Sequence, residues 1–429
     1  MGKGFSFIHA ADLHLDSPFR GISQEVSETG EYRHIVERLR DCTFIALKRL
    51  VDLCLQERVD FLLLAGDVYD LSNRSLRAQL RFREETRRLA EMGIQVFIVT
   101  GNHDSSDGWR ADLEFPETVH VFSDREVESR PVIRQGQEVA RVYGISYPRA
   151  AVTENLALLF PRPPREPFSI AMLHANVGSI EGYDNYAPCR LDDLIGSGYD
   201  YWALGHIHSH TVLHTEFTRV IYPGCHQGRS VREMGAKGCV LVRVAEDRSL
   251  ECEFMPTDNV RWHFIDLPIA GLGTDTALLN ALEDRLWGLK QNNPRLAGVV
   301  RVQLNGRGPL HKRLMNNSYR TDLLQQLRSR YSTPVEDFVW IESLNLNVQP
   351  EIDKESVRQS QTLLGDFLRL SRQAALDPDL MRQLKAGMQA LHQNHPLGRY
   401  LDEPSGEEME RLLAEAEDLG LDLLGGEDG

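Results

Sequence analysis

An α/β fold, with a helix-covered parallel sheet leading into a small α+β domain and a helical C-terminal region, is what this sequence predicts. Three observations carry it. Apolar, β-branched runs alternate with helical patterns over the first hundred residues, the signature of strand–helix–strand units. Several of those runs end in acids, histidines or Asn-His instead of ordinary turn residues. Near residue 260 the alternation restarts on a smaller scale, and beyond residue 350 only helical patterns remain.

In chain order, FSFIHAAD (5–12), DFLLLAGD (60–67) and IQVFIVTGNHD (94–104) read as buried strands. The stretches 35–57 and 74–92 between them have helical periodicity. EVARVYGISY (138–147), FSIAMLHANV (168–177), YDYWALGHIH (199–208), RVIYPG (219–224), KGCVLVRV (237–244) and LECEFMP (250–256) follow as strands. Their close spacing late in the series predicts antiparallel additions or a second sheet. PRPPREP (161–167) is too polar and Pro-rich for anything but a stiff loop. Strands at 261–269, 298–306 and 337–348 and helices at 275–291 and 319–331 form a βαβαβ unit. Helices at 356–376, 378–393 and 405–420 close the chain, the last opening with Ser405 and Glu408 in capping-box spacing. The domains predicted are therefore 1–260, 261–350 and 351–429.

With 429 residues and 41% hydrophobic content the chain can build more than one core. Its six cysteines form no C-x-x-C pair, as expected of reduced, buried thiols in a cytoplasmic protein. No apolar run approaches a membrane span and no signal-peptide pattern is present. MGKGFS formally matches an acylation pattern, but Phe5 already opens the first strand. The net charge of −15 hides an uneven distribution: residues 402–429 carry −10, whereas residues 285–330 carry ten Lys/Arg and one acid, a local +9. An acidic tail thus masks one basic segment suited to a phosphate backbone.

The chemistry lies in five short motifs at strand ends: Asp12-x-His14, Gly66-Asp67-x-x-Asp70, Gly101-Asn102-His103-Asp104, His174, and Gly205-His206-x-His208. In open α/β sheets, ligands collect beyond the carboxyl ends of strands, so these distant segments are expected to converge. In extended backbone, residues two apart face one side, which would aim Asp12 with His14, and His206 with His208, at one site. The glycines before Asp67, Asn102 and His206 allow tight turns and close backbone approach. Carboxylate, imidazole and amide without thiolate suit Mn, Fe or Zn more than Ca or Mg. Seven candidate ligands (Asp12, His14, Asp67, Asn102, His174, His206 and His208) exceed the needs of one ion. Two divalent ions bridged by Asp67 are the economical expectation.

These motifs resemble those of the calcineurin-like metallophosphoesterases. ADLHLDSPF (11–19), GDVYD with RSLRAQLRF (74–82), and YPGCHQGRSVREMGAKGC (222–239) are similar to the family's DNA-repair exonuclease branch, of the SbcD and YhaO type. The resemblance covers the first domain well, the second loosely and the C-terminal helices weakly. It implies a β-sandwich flanked by helices, with a cap domain that touches DNA. It also implies one metal held by Asp12, His14, Asp67 and His208 and a second held by Asp67, Asn102, His174 and His206, with manganese as the ion. His103 matches the position that faces the scissile phosphate. Asp70 stands where some relatives carry a second histidine, and the expected catalytic set is His103 charged by Asp70 or Asp104. The activity implied is metal-dependent DNA cleavage by hydroxide attack on phosphorus; the alternative is hydrolysis of nucleotides or other small phosphate esters.

For DNA contacts the candidates are Arg301, Arg307, Lys312, Arg313 and Arg320 in the basic segment. The expected partners are DNA, an SMC-like ATPase of the SbcC or YhaN type, and a second copy of the chain, with no membrane. Leu363, Leu364, Phe367, Leu368 and Leu370 fall largely on one helical stripe, suited to partner docking or to internal packing.

Overall fold

The computed structural model describes residues 4–19, 32–70, 75–108, 111–333, 337–394 and 405–424. The acylation-like start and the acidic end of the tail at 425–429 lie outside them. The chain runs through β1 (Phe5–Ala10), α1 (Arg33–Arg40), α2 (Cys42–Glu57), β2 (Phe61–Ala65), α3 (Leu76–Glu91), β3 (Gln95–Val99) and β4 (Val119–Val121). It continues through β5 (Glu128–Arg134), β6 (Gln137–Gly144), β7 (Phe168–His174), α4 (Leu191–Ile195), β8 (Tyr201–Gly205), β9 (Thr211–His214), β10 (Arg219–Tyr222), β11 (Gly238–Val244) and β12 (Leu250–Pro256). Then come β13 (Val260–Pro268), α5 (Asp275–Asn292), β14 (Ala297–Gly308), α6 (His311–Leu314), α7 (Asn317–Tyr331) and β15 (Val339–Pro350). Four helices finish the described chain: α8 (Lys354–Gln359), α9 (Leu363–Leu376), α10 (Pro378–Asn394) and α11 (Gly406–Leu424).

Among the described residues two six-stranded sheets form, in the orders β12-β11-β1-β2-β3-β4 and β5-β6-β7-β8-β10-β9. In the first, β1 to β4 are parallel and β11 and β12 are antiparallel additions. In the second, β6, β7, β8 and β10 are parallel and the edge strands β5 and β9 antiparallel. The two-residue period of a strand explains why both faces of β1 are apolar. Phe7 points between the sheets, stacked on Phe61 at 4.9 Å with Tyr201 edge-on at 5.2 Å. Ile8 points the other way, into a core shared with Leu47 and Leu50 of α2 and Leu89 of α3. The outer face of the second sheet buries Tyr143, Trp202, Tyr199 and Phe160. Both sheets end at the same rim, where the five motifs sit.

Several elements differ from expectation. The helix predicted over 35–57 breaks at Asp41 (φ −93°, ψ 1°), whose carboxylate is held by Arg77. β4, β5 and β9 are short or polar edge strands, part-exposed and without clean alternation. The helix over 356–376 breaks at Ser360, and Thr362 then caps α9 through the Gly365 N–H. Ser75 caps α3 by accepting the Ala78 N–H, close to where sequence periodicity starts the helix.

β13, β14 and β15 form a three-stranded sheet in that order. By backbone proximity the chain divides into two compact units: Met1–Ile265 with Asp284–Val302 and Asp322–Leu344, and Asp266–Glu283 with Gln303–Thr321 and Asn345–Gly429. The division runs through the 261–350 segment. In the first unit, Trp262, Val299, Phe338 and Trp340 share a core with Ile35 and Leu39 of α1, and the Arg328 guanidinium lies 4.1 Å over Trp340. In the second, Phe367 of α9 packs so closely on Gly420 that a Cβ there would lie 2.4 Å from the ring, and Arg358 meets Glu417 at 3.6 Å. Leu368 is buried and Leu364 and Phe367 half-buried, while Leu363 and Leu370 are exposed. Most of the apolar stripe on α9 is thus spent internally.

Phe7→Ala should leave a cavity between the two sheets and cost about 3–5 kcal/mol, measurable as a lowered midpoint in chemical denaturation.

Candidate metal centre

Each sheet contributes strand ends to one site. Asp12 and His14 follow β1, Asp67 follows β2, Asn102 and His103 follow β3, His174 ends β7, and His206 and His208 follow β8. Asp12, His14, Asp67, His174 and His206 are buried. The local backbone is not extended. Asp12, His14 and Asp67 adopt φ of 53°, 42° and 53°, and His206 has φ 102°. Left-handed turns, not strand alternation, therefore aim these pairs. The turns are zippered together by Asp12 N–H to Gly66 O (3.0 Å), His14 N–H to Asp67 O (2.9 Å) and Leu15 N–H to Val68 O (3.0 Å). Non-glycine residues held at positive φ mark strain that the surrounding structure must enforce.

Close approach explains the glycines. A Cβ at Gly66 (φ +93°) would lie 2.2 Å from His174 Nδ1, and one at Gly101 2.4 Å from Asp67 Oδ1. At Gly205 it would lie 1.7 Å from Ala65 O and 2.8 Å from His174 Nδ1. Three backbone segments thus close around one imidazole.

Asp67 occupies the centre. Its Oδ1 accepts the His103 N–H at 2.9 Å, leaving Oδ2 at 3.4 Å from His174 Nε2 and 3.7 Å from His14 Nε2. On the His14 side, His14 Nε2 and His208 Nε2 are 3.3 Å apart, and His208 Nε2 is 3.8 Å from Asp12 Oδ1. On the other side, His174 Nε2 lies 3.1 Å from Asn102 Oδ1, with the His206 ring 5.2 Å from the His174 ring between centroids. Donors bound to one ion at about 2.1 Å and spread by 90–110° stand about 3.0–3.4 Å apart. The 3.1 and 3.3 Å separations fall in that range, and Asp12, His14 and His208 group as one candidate metal set, with Asp12, Asp67 and His174 as another.

Electrostatics points the same way. Burial raises Asp12 above the ordinary carboxylate range. Burial also opposes charge on Asp67, yet His174 and His14 hold it well below that range, and Asp67 in turn raises His174 to about 9 against the burial of its ring. Burial drives His14 well down. Its Nδ1 is buried without a hydrogen-bond partner among the described residues. Two buried carboxylates among imidazoles, Asp67 balanced by His174 and Asp12 pushed towards its neutral form, make a donor set that fits divalent metal.

Outer hydrogen bonds fix the ligand orientations. His174 Nδ1 is 3.0 Å from Ala65 O, leaving Nε2 for the metal side. His206 Nε2 is 2.7 Å from Asp184 O, leaving Nδ1. Asp12 accepts the His206 N–H with both oxygens at 3.1 Å.

The acids beside His103 have different tasks. Asp70 Oδ1 is 3.7 Å from His103 Nδ1, an ion-pair contact, and this carboxylate, against partial burial, raises His103 above the usual histidine value. Asp104 is buried and accepts three backbone N–H groups, from Gly101 (2.7 Å), Val68 (2.9 Å) and Asp67 (3.2 Å). It braces the two ligand loops together, a positioning task and not the direct charging of His103 envisaged above. His103 and Asp70 face a cleft of about 780 Å³ that is also lined by His14, Tyr183, His208, Arg229 and Arg232.

Residues 5–210 match the calcineurin-like phosphoesterase family, and residues 262–349 match the middle domain of the metallophosphoesterase YhaO. The chain is 36% identical over 413 residues to the uncharacterized metallophosphoesterase YhaO of Bacillus subtilis (strain 168), spanning 96% of both proteins. The chain is a calcineurin-like metallophosphoesterase. It is also similar to two proteins named DNA double-strand break repair protein Mre11. That of Sulfurisphaera tokodaii is 26% identical over 216 residues, 50% of this metallophosphoesterase and 51% of the relative. That of Sulfolobus acidocaldarius is 22% identical over 376 residues, 84% and 90% of the two.

Sequence reasoning missed Asp184, Arg229 and Glu233. Asp184 acts through a backbone carbonyl, to which residue type gives no clue. Glu233 lies 2.7 Å from His208 Nδ1, and its carboxyl is held low, against burial, by His208 and Arg229. The only signal was its place inside the family-like 222–239 stretch. Cys225 is close: its thiol donates to His208 O at 3.6 Å, burial pushes it far up, and with His208 and Glu233 it forms a further candidate metal group.

The basic segment is less free than its charge suggested. Arg301 forms a two-pronged pair with Glu342 (2.9 and 2.8 Å), Arg313 pairs with Asp275, Arg307 donates to Pro350 O, and Arg320 donates to Leu314 O and Asn317. Widening the window to 275–342 adds six acids and no base, leaving +3. Lys312 is exposed, with no ion pair among the described residues.

Gly205→Ala should abolish Mn²⁺ uptake, because its Cβ would displace β8 from the Ala65 carbonyl. Titration of the purified variant against wild type checks this. In the wild-type protein, Mn²⁺ at a hundred times its dissociation constant should add about 2.7 kcal/mol of stability, seen as a raised melting temperature that EDTA reverses.

Proposed function

We propose that this metallophosphoesterase is a manganese-dependent DNA nuclease that cleaves phosphodiester bonds. The observation that carries the proposal is the arrangement of the cleft. His14 and His208 border it, His103 with Asp70 flank it, and Arg229, Ser230 and Arg232 add a basic stretch, so a phosphodiester there meets ligands, proton donor and cations together. The names of the Mre11 relatives support DNA as the polymer. Bound divalent ions would supply Lewis acidity at phosphorus and an activated water. The chain's own residues do the rest. Asp67 and Asp12 would hold one ion's positive charge at the phosphate, Asn102 and His174 would hold a second, and His103, whose protonated form Asp70 favours, donates a hydrogen bond or proton to the leaving oxygen. An SMC-like ATPase partner and a homodimer belong to the proposal through the family resemblance. Among the described residues no helix is long and apolar enough to cross a membrane.

A second reading, hydrolysis of small phosphate esters, is favoured by one observation: the partner of His103 is an acid, not a second histidine. One panel separates the two. Mn²⁺-dependent shortening of labelled duplex supports the nuclease, whereas turnover of AMP with intact duplex overturns it.

His103→Leu should retain Mn²⁺ and lose turnover by at least about 100-fold, as single-turnover assays with metal analysis would show. On duplex DNA, Lys312→Ala should reduce the slope of log affinity against log salt by about one, read from binding isotherms at several salt concentrations.

A further inference from the structure

We propose that Glu233 is a positioning residue that sets the orientation and tautomer of His208, and so the affinity of the metal position shared by Asp12, His14 and Asp67. His208 Nε2 faces Asp12 Oδ1 and His14 Nε2. Its Nδ1 must then carry the proton and find an acceptor, and Glu233 Oε1 is 2.7 Å away. The other outer bonds in this centre end on neutral backbone carbonyls, those of Ala65 and Asp184. His208 alone among these three has a carboxylate behind it. A charged acceptor makes the imidazole a stronger donor to a cation than a carbonyl does.

The carboxylate is itself fixed. Glu233 Oε2 accepts the Arg229 N–H at 2.6 Å, and Arg229 Nη2 reaches Oε1 at 3.3 Å. Residues Val231–Glu233 form a single tight turn that presses on Gly228, where a Cβ would lie 2.6 Å from Glu233 O. Glu233 therefore holds its place through the fold, independently of a bound ion. The inference rests on the metal-centre reading and not on the choice of DNA as substrate.

The test is Mn²⁺ titration of the metal-free full-length chain, followed by the electron paramagnetic resonance signal of free Mn²⁺, beside Glu233→Ala and Glu233→Gln. Wild type should bind two ions. Glu233→Ala should weaken one of them by roughly 10- to 100-fold and leave the other unchanged, while the melting temperature of the metal-free protein falls because Arg229 loses its buried partner. Glu233→Gln keeps an acceptor oxygen but no charge and should fall between. Turnover of bis-p-nitrophenyl phosphate by Glu233→Ala should recover as Mn²⁺ is raised. Two wild-type affinities in Glu233→Ala, or equal weakening of both positions in both variants, would overturn the positioning role. Failure of the wild-type protein to bind any Mn²⁺ would remove the metal centre itself, and Glu233's role with it.

Discussion

A carboxylate placed where two sheets meet imposes the constraint on which the rest depends. Asp67 is buried, one of its oxygens is committed to the His103 N–H, and the other lies between His14 and His174. An isolated charge in that position would cost several kcal/mol. The chain therefore sets His174 and His103, both raised, against it, while His14, driven down by burial, offers a lone pair. Because His14 hangs from the first sheet and His174 from the second, the charge requirement also ties the sandwich together at this end.

The ligands do not hold themselves. Asp104 binds the Gly101 and Asp67 loops through three backbone N–H groups, Asp12 holds the His206 N–H, and the Ala65 and Asp184 carbonyls select which nitrogen of His174 and His206 faces inward. Backbone groups thus do most of the orienting, and side-chain acids intervene at His103 and His208. That division leaves the open side of the centre, towards the cleft, to residues whose contacts a substrate can change: His103, Tyr183 and Arg232.

Much of this was legible in the sequence, for identifiable reasons. The strands that deliver the ligands are buried on both faces, so their apolar runs are unmistakable, and the motifs follow them directly. The order of strands in the two sheets was not legible, because β11 reaches β1 across more than two hundred residues. Asp12-x-His14 was aimed correctly for the wrong local reason: the pair shares a target through left-handed turns that spacing alone does not reveal. Asp104 looked like a partner for its neighbour His103 and proved to serve the backbone of Gly101, Asp67 and Val68. The charge of residues 285–330 was overstated, since Asp275 and Glu342, which neutralise Arg313 and Arg301, stand outside that window. At the break Asp41 pairs with Arg77 on another helix, a contact no helical periodicity could announce.

The backbone around His174 has a consequence for how the centre tolerates change. Gly66, Gly101 and Gly205 bring main chain, not flexible side chains, against that imidazole and against Asp67. Side-chain walls can yield by rotating, whereas a peptide plane hydrogen-bonded at a strand end yields only if the strand shifts. A methyl group added at any of the three glycines therefore moves a ligand, and no rotamer change nearby can absorb it.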